Sequence, residues 1–217
     1  MRTLDDAFSS LSLSLFSYMR ERREKRAAQE AGFATVVVTS ARAGDGKSFV
    51  ARGLATMAAL LSDYRVLLVD ANFEAPAAAR LYQVPIEAPG FSDLLAGGHA
   101  VPLASISMPP KLRLLPAGNT AMPELLYREA AYERFLEKIA EDFDVIIFDA
   151  GAVPPAGANA LMRMGQRILF VVNSSKTRRE VAYHALSKLG GAEDERLWGV
   201  VLNKRLWYIP RRLYRDN

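Results

Sequence analysis

Five short runs in this chain are apolar or β-branched almost from end to end, and they limit the possible folds more than any other feature. They are Ala34-Thr-Val-Val-Val-Thr39, Arg65-Val-Leu-Leu-Val-Asp70, Asp144-Val-Ile-Ile-Phe-Asp149, Ile168-Leu-Phe-Val-Val172 and Trp198-Gly-Val-Val-Leu202, with a weaker run at Leu112 to Leu115. A strand with one wet face alternates apolar and polar residues. These do not, so each is expected to be covered on both faces. Helical stretches separate them: Ser48 to Leu61, Glu124 to Glu141 (Leu125, Phe135 and Ile139 among its apolar positions), and Arg178 to Leu189. Such alternation predicts an α/β fold, a three-layer, doubly wound and mostly parallel sheet. Sheets of this kind bind ligands beyond the carboxyl ends of their strands. The chemistry is therefore expected just after Thr39, Val69, Phe148 and Leu202.

Composition removes several function classes. The chain has no cysteine and only two histidines, His99 and His184. Disulfides, thiolate catalysis, iron–sulfur clusters and cysteine-ligated zinc are excluded, and a multi-histidine metal site is not expected. No apolar run reaches the length of a membrane-spanning helix. The segment Ala7 to Met19 follows Arg2, but Asp5 and Asp6 spoil a basic leader and Arg20-Glu-Arg-Arg23 stands where a cleavage site would. A secretory signal is rejected, and a cytoplasmic setting is expected. Thr3 to Ala28 reads as helix, with Phe8, Leu11, Leu15 and Met19 on one face and Gly32 as its end. The net charge is +4, and it is unevenly placed. From Arg196 onward six basic residues face a single acid, Asp216. Such a tail either keeps the end solvated or meets an anionic membrane surface, nucleic acid or an acidic partner. No nucleic-acid recognition fold is visible.

After the first strand stands Ser40-Ala-Arg-Ala-Gly-Asp-Gly-Lys-Ser48. Gly44-x-Gly46-Lys47-Ser48 is the core of a phosphate-binding loop, although Ala41 takes the place of the usual first glycine. The glycines let backbone N–H groups curl around an anion. Lys47 is expected to reach the β and γ phosphates, and Ser48 to ligate Mg²⁺. The following helix would turn its positive end toward the phosphates. Ala43, Gly44, Asp45, Gly46, Lys47, Ser48 and Phe49 are the candidate nucleotide contacts. Asp70 and Asp149 close two later strands. An aspartate in that position is either a helix cap or a Mg²⁺ ligand, direct or through water. Both together after such a loop favour the metal. Three segments follow: 1–33 helical, 34–204 a P-loop nucleotide-binding domain, and 205–217 a basic tail.

This set resembles the bacterial tyrosine kinase family, the cytoplasmic P-loop modules of capsule and exopolysaccharide co-polymerases, within the wider partitioning-type ATPases. The resemblance rests on Leu4-Asp-Asp-Ala-Phe8, Val36 to Ser40 with Gly44 to Ser48, Val66-Leu-Leu-Val-Asp70 through Pro76, Leu115-Pro-Ala-Gly118, Pro123-Glu-Leu-Leu126, Phe143 to Asp149, and Gly199-Val-Val-Leu-Asn-Lys204. It implies ATP or ADP with Mg²⁺ as ligands, Asn203 facing adenine, and a membrane-embedded polysaccharide co-polymerase as partner, with a homo-oligomer possible. It also implies catalytic roles for Lys47, Asp70, the residue at position 72, and Arg42, which stands where partitioning-type ATPases carry a lysine that reaches across a dimer.

The departures concern transfer rather than binding. The family's second motif reads Asp-x-Asp-x-Arg, where this chain has Asp70, Asn72 and Glu74. Asparagine accepts a hydrogen bond but is a very poor base. Phe49 replaces a Ser or Thr, Asp149-Ala-Gly-Ala152 replaces Asp-Thr-Pro-Pro, and Ser9 and Ser12 replace two ring-assembly arginines. The tail offers only Tyr208 and Tyr214. The expectation is a nucleotide-binding regulator of exopolysaccharide synthesis, peripheral to the inner membrane, with tyrosine kinase activity weak or lost. Two alternatives stay open: a partitioning-type ATPase switch that dimerises on ATP and positions cargo, and a scaffold that binds no nucleotide.

Overall fold

Each apolar run becomes a strand. β1 (Ala34–Ser40), β2 (Val66–Ala71), β4 (Leu112–Leu115), β5 (Val145–Ala152), β6 (Arg167–Asn173) and β7 (Leu197–Asn203) run parallel, and a two-residue β3 (Ala104–Ser105) pairs antiparallel with β4 at one edge. The sheet order is β3-β4-β2-β5-β1-β6-β7. The helices are α1 (Lys47–Leu61), α2 (Ala78–Leu81), α3 (Phe91–Leu95), α4 (Glu129–Ile139), α5 (Ala160–Met164) and α6 (Arg179–Ser187). The protein is seen as a computed structural model that describes residues 14–15, 17–18, 33–85, 87–97, 103–105, 109–119, 128–139, 141–154 and 159–204.

The two-residue period of the strands sorts their side chains into two cores. On one face Val37, Leu67, Val69, Ile146, Phe148 and Phe170 pack beneath α3, α4, α5 and α6. Phe91 is the centre of an aromatic cluster there, with Phe135 at 4.8 Å edge-on and Phe73, Tyr132 and Phe148 each at 5.8 Å between ring centroids. Edge-to-face pairs of this kind add to the burial itself. On the other face Val36, Val38, Leu68, Ile147, Leu169 and Val171 pack against Val50, Leu54, Ala55 and Ala58 of α1. The result is the expected three-layer α/β arrangement.

Of the expected opening helix, Ser14, Leu15, Ser17 and Tyr18 are described and are helical. Leu15 is fully buried in the α1-side core. Tyr18 lies under the Arg167 guanidinium, 4.3 Å from its ring centroid. Phe8, Leu11, Met19 and Gly32 lie outside the described residues, as do Ser9, Ser12, Pro123 to Leu126 and the tail 205–217. The helix expected over 124–141 is described over Glu129–Ile139.

One expectation is corrected. The last apolar run was expected to be covered on both faces, but no residue of β7 is fully buried. Val200 and Leu202 pair with Phe170 and Val172, which places them on the face that α6 covers over β6. They remain 47% and 59% exposed. A run of apolar residues reads the same in a central strand and in an edge strand whose side chains no helix reaches.

Candidate functional site

The sheet order puts β1 between β5 and β6, so the tips of β2 and β5 lie to one side of the loop after β1 and the tips of β6 and β7 to the other. The loop leaves β1 at Ser40, whose hydroxyl donates to the Arg42 carbonyl at 2.8 Å, and enters α1 at Lys47. Gly44 (φ 83°) and Gly46 (φ 98°) take left-handed conformations that other residues resist. At Gly46 space is a second requirement, because a Cβ there would stand 2.0 Å from the Asn203 side-chain nitrogen. Ala41 lies half-buried against the core.

On the β5 side the candidate metal residues come together. Asp70 and Asp149 are register partners on adjacent strands. Ser48, at the start of α1, hydrogen-bonds the Asp149 carboxylate. Asp149 Oδ1 is buried without any hydrogen-bond partner. Burial lifts this carboxyl to about 6; the Ser48 bond pulls it down, and the neighbouring Asp70 charge pushes it up. Lys47 is 6% exposed and contributes a positive charge to both aspartates.

Asp70 is held differently. Its oxygens accept from the backbone N–H groups of Asn72 (3.2 Å), Ala77 (3.0 Å) and Ala78 (2.9 Å). Burial raises its pKa, and these three bonds lower it. Asp70 therefore ties the chain into the start of α2, the capping role that its position at a strand end also allowed. Asn72 is buried, and its amide nitrogen donates to the Ala75 carbonyl at 3.0 Å.

A divalent cation fits the Asp149 corner. One buried carboxylate oxygen has no partner, a serine hydroxyl is adjacent, and a second carboxylate stands alongside. Mg²⁺ is usually bound by one or two carboxylates together with waters and substrate phosphates. Among the described residues no group of three His, Asp or Glu side chains could hold a metal by itself.

On the β6–β7 side Asp45 and Asn203 meet residues that the sequence reading gave no role at the site, Thr177 and Lys176. Asp45 is buried, and its carboxylate accepts from Thr177 Oγ1 at 2.6 Å and from the Arg42 N–H at 3.1 Å. The Asn203 amide nitrogen donates to the Asp45 carbonyl at 2.9 Å, and its oxygen accepts from the Lys204 N–H at 2.9 Å. The Lys204 ammonium donates to the Gly44 carbonyl at 3.1 Å. Asn203, expected to face adenine, is here fastened to the loop. A cleft of about 320 Å³ opens beside these contacts, lined by Arg42, Gly44, Asn173, Lys176 and Lys204 among others. Arg42 and Ala43 are exposed on the rim, and Phe49 is 42% exposed at the first turn of α1. His184 is exposed on α6, away from this chemistry. His99, Trp207, Tyr208 and Tyr214 lie outside the described residues.

A glycine loop between a central parallel strand and a helix, with an aspartate from each of two adjacent strand tips beside it, gives the protein the architecture of the P-loop class. Within that class the chain belongs to the cellulose biosynthesis protein BcsQ family, whose model matches residues 33–189. Solved structures share the fold. The kinase domain of VpsO superposes with a TM-score of 0.71 at 23% identity, covering 91% of this chain and 95% of that one. The kinase domain of the Escherichia coli tyrosine kinase ETK gives 0.69 at 22% identity, covering 92% and 79%. The MinC:MinD cell division complex of Aquifex aeolicus gives 0.63 at 23% identity, covering 78% and 68%. Comparison with curated protein sequences gives no match. The resemblance to bacterial tyrosine kinase domains among the partitioning-type ATPases thus holds for the fold. No helix among the described residues is long and apolar enough to cross a membrane.

Proposed function

We propose that this chain is an ATP-binding switch that regulates exopolysaccharide production at the cytoplasmic face of the inner membrane, acting through a membrane-embedded polysaccharide co-polymerase. The observation that carries the reading is the Asp149 carboxylate, with one oxygen bonded by Ser48 and the other buried and bare beside a phosphate-type loop. The backbone N–H groups from Gly44 to Ser48 would cradle the phosphates, and Lys47 would sit against the β and γ positions. Ser48 and Asp149, with Asp70 alongside, would hold Mg²⁺, which when bound neutralises phosphate charge and orients the terminal group. Asn203 borders the same site, and to meet a base its amide would have to release Asp45. The BcsQ family's description, cellulose biosynthesis, supports the exopolysaccharide part.

Phosphoryl transfer to tyrosine is proposed to be weak or absent. Asn72 stands where the resemblance implies a carboxylate, and its amide is spent on the Ala75 carbonyl. The amide oxygen left over can accept a hydrogen bond but is far too weak a base to take a hydroxyl proton near neutral pH. The test pairs two measurements on one sample: calorimetric titration with Mg-ATP and Mg-ADP, and phosphotyrosine detection after incubation with ATP. Binding lost in Lys47→Ala, without tyrosine labelling, is expected. No binding by the wild type refutes the nucleotide reading, and strong labelling that Lys47→Ala abolishes refutes the lost-kinase part.

A second reading, an ATPase that dimerises on ATP, is supported by Arg42, which is exposed on the rim of the loop where it could reach a partner's phosphates. ATP-dependent dimerisation that survives in Arg42→Ala would remove that role.

A further inference from the structure

A loop that binds phosphate gains from positive charge, yet this one carries Asp45 between its two glycines. The carboxylate is 2% exposed, and among the described residues no cation forms a salt bridge with it. A third carboxylate near a triphosphate and the Asp70–Asp149 pair would repel the ligand, unless its direction is fixed.

Its direction is fixed from outside the loop. Thr177, in the turn between β6 and α6, donates its hydroxyl to Asp45 Oδ1 at 2.6 Å. The Arg42 N–H takes Oδ2 at 3.1 Å. Thr177 is itself anchored, its N–H donating to the Asn173 carbonyl at 2.9 Å. The strand order decides which way this pulls. Asp70 and Asp149 end β2 and β5 on one side of β1, whereas Thr177 follows β6 on the other. The clasp thus draws the Asp45 charge toward the cleft that also holds Arg42, Lys176 and Lys204, away from the acidic pair.

We infer that Thr177 is a positioning residue of the nucleotide site, which holds the Asp45 carboxylate off the phosphates so that a loop containing an acid can bind a polyanion. The inference deepens the nucleotide reading above and rests on it. It assigns to the β6–α6 turn control over phosphate affinity: any movement of that turn that breaks the clasp returns a negative charge to the loop and weakens the nucleotide's hold.

The experiment is calorimetric titration of Mg-ADP into the full chain, with four variants. Wild-type binding comes first; its absence refutes the nucleotide reading and leaves the clasp without a function. Thr177→Val, which keeps the shape and removes the hydroxyl, is expected to weaken Mg-ADP about tenfold, the size of a hydrogen bond to a charged group. Thr177→Ser is expected to restore most of the loss. The deciding comparison is made in the Asp45→Asn background. With no charge to restrain, Thr177→Val added to Asp45→Asn is expected to change affinity less than twofold. If Thr177 only steadied the turn, valine would cost the same in both backgrounds, and that result overturns the inference. So does a Thr177→Val protein that binds Mg-ADP as wild type does while the wild type binds normally.

Discussion

In Asp149→Asn a buried charge is removed from the site proposed above to share that charge with a cation. Without nucleotide or metal, the carboxyl stands at about 6 against an ordinary 3.8, chiefly because burial penalises the ionised form. A displacement of that size corresponds to about 3 kcal/mol of folding free energy once the group is fully ionised. The sign follows from linkage. The folded-state value lies above the unfolded one, so the folded protein holds this proton more tightly. The cost is absent below the unfolded pKa, grows between the two values and is complete above about 6. Asparagine removes the charge but leaves a buried amide, so about half the cost is recovered, on the order of 1–2 kcal/mol. For a domain of this size that raises Tm by about 3–6 °C at pH 7.5. At pH 4.5, where the wild-type carboxyl is largely protonated, its cost falls to about 1 kcal/mol, no more than that of the buried amide, so the gain disappears. Scanning calorimetry of the metal-free, nucleotide-free protein at the two pH values measures both. In parallel, Mg²⁺ should strengthen ADP binding in the wild type and not in the variant. A Tm at pH 7.5 equal to or below that of the wild type, or a gain that ignores pH, would refute the account of Asp149 as a carboxylate waiting for a cation.

Two further outcomes follow from the same geometry. Asn72→Asp replaces a donor with an acceptor facing the Ala75 carbonyl; it is expected to lower stability by about 1–3 kcal/mol, read by urea unfolding, and to leave tyrosine phosphorylation undetectable. Gly46→Ala places a Cβ against the Asn203 amide in a left-handed position; loss of Mg-ADP binding by at least about a hundredfold is expected from strain and displacement of the loop together, and titration calorimetry checks it.

Much of the fold could be read because its signal is local. Each of the five apolar runs forms a strand, and the four strand tips named in advance, after Thr39, Val69, Phe148 and Leu202, surround the loop. The short elements β3, α2, α3 and α5 span two to five residues, too few for any period to show. Of the candidate site, Lys47, Ser48, Asp70 and Asp149 were legible from motif spacing. Spacing favoured Asp70 as a metal ligand; its bonds to the start of α2 had no such signal, because they depend on where Ala77 and Ala78 point their N–H groups. The Thr177–Asp45 bond had no signal in the sequence at all: the partners are 132 positions apart, and a threonine before a helix ordinarily reads as a local turn residue. The exposure of Val200 and Leu202 was hidden for a related reason, since what covers a strand is decided by the placement of other elements.

The fastening of the loop by Asn203 and Lys204 has a consequence in time. The phosphate loop occupies residues 41–48, but the groups that hold its Asp45 and Gly44 carbonyls come 158 and 160 positions later. Synthesis proceeds from the amino terminus, and domains fold as units. A nascent chain that has already exposed Gly44 to Ser48 from the ribosome lacks the strand that shapes them. The final shape of the loop, and with it the nucleotide binding proposed above, therefore arrives late, with the docking of β7.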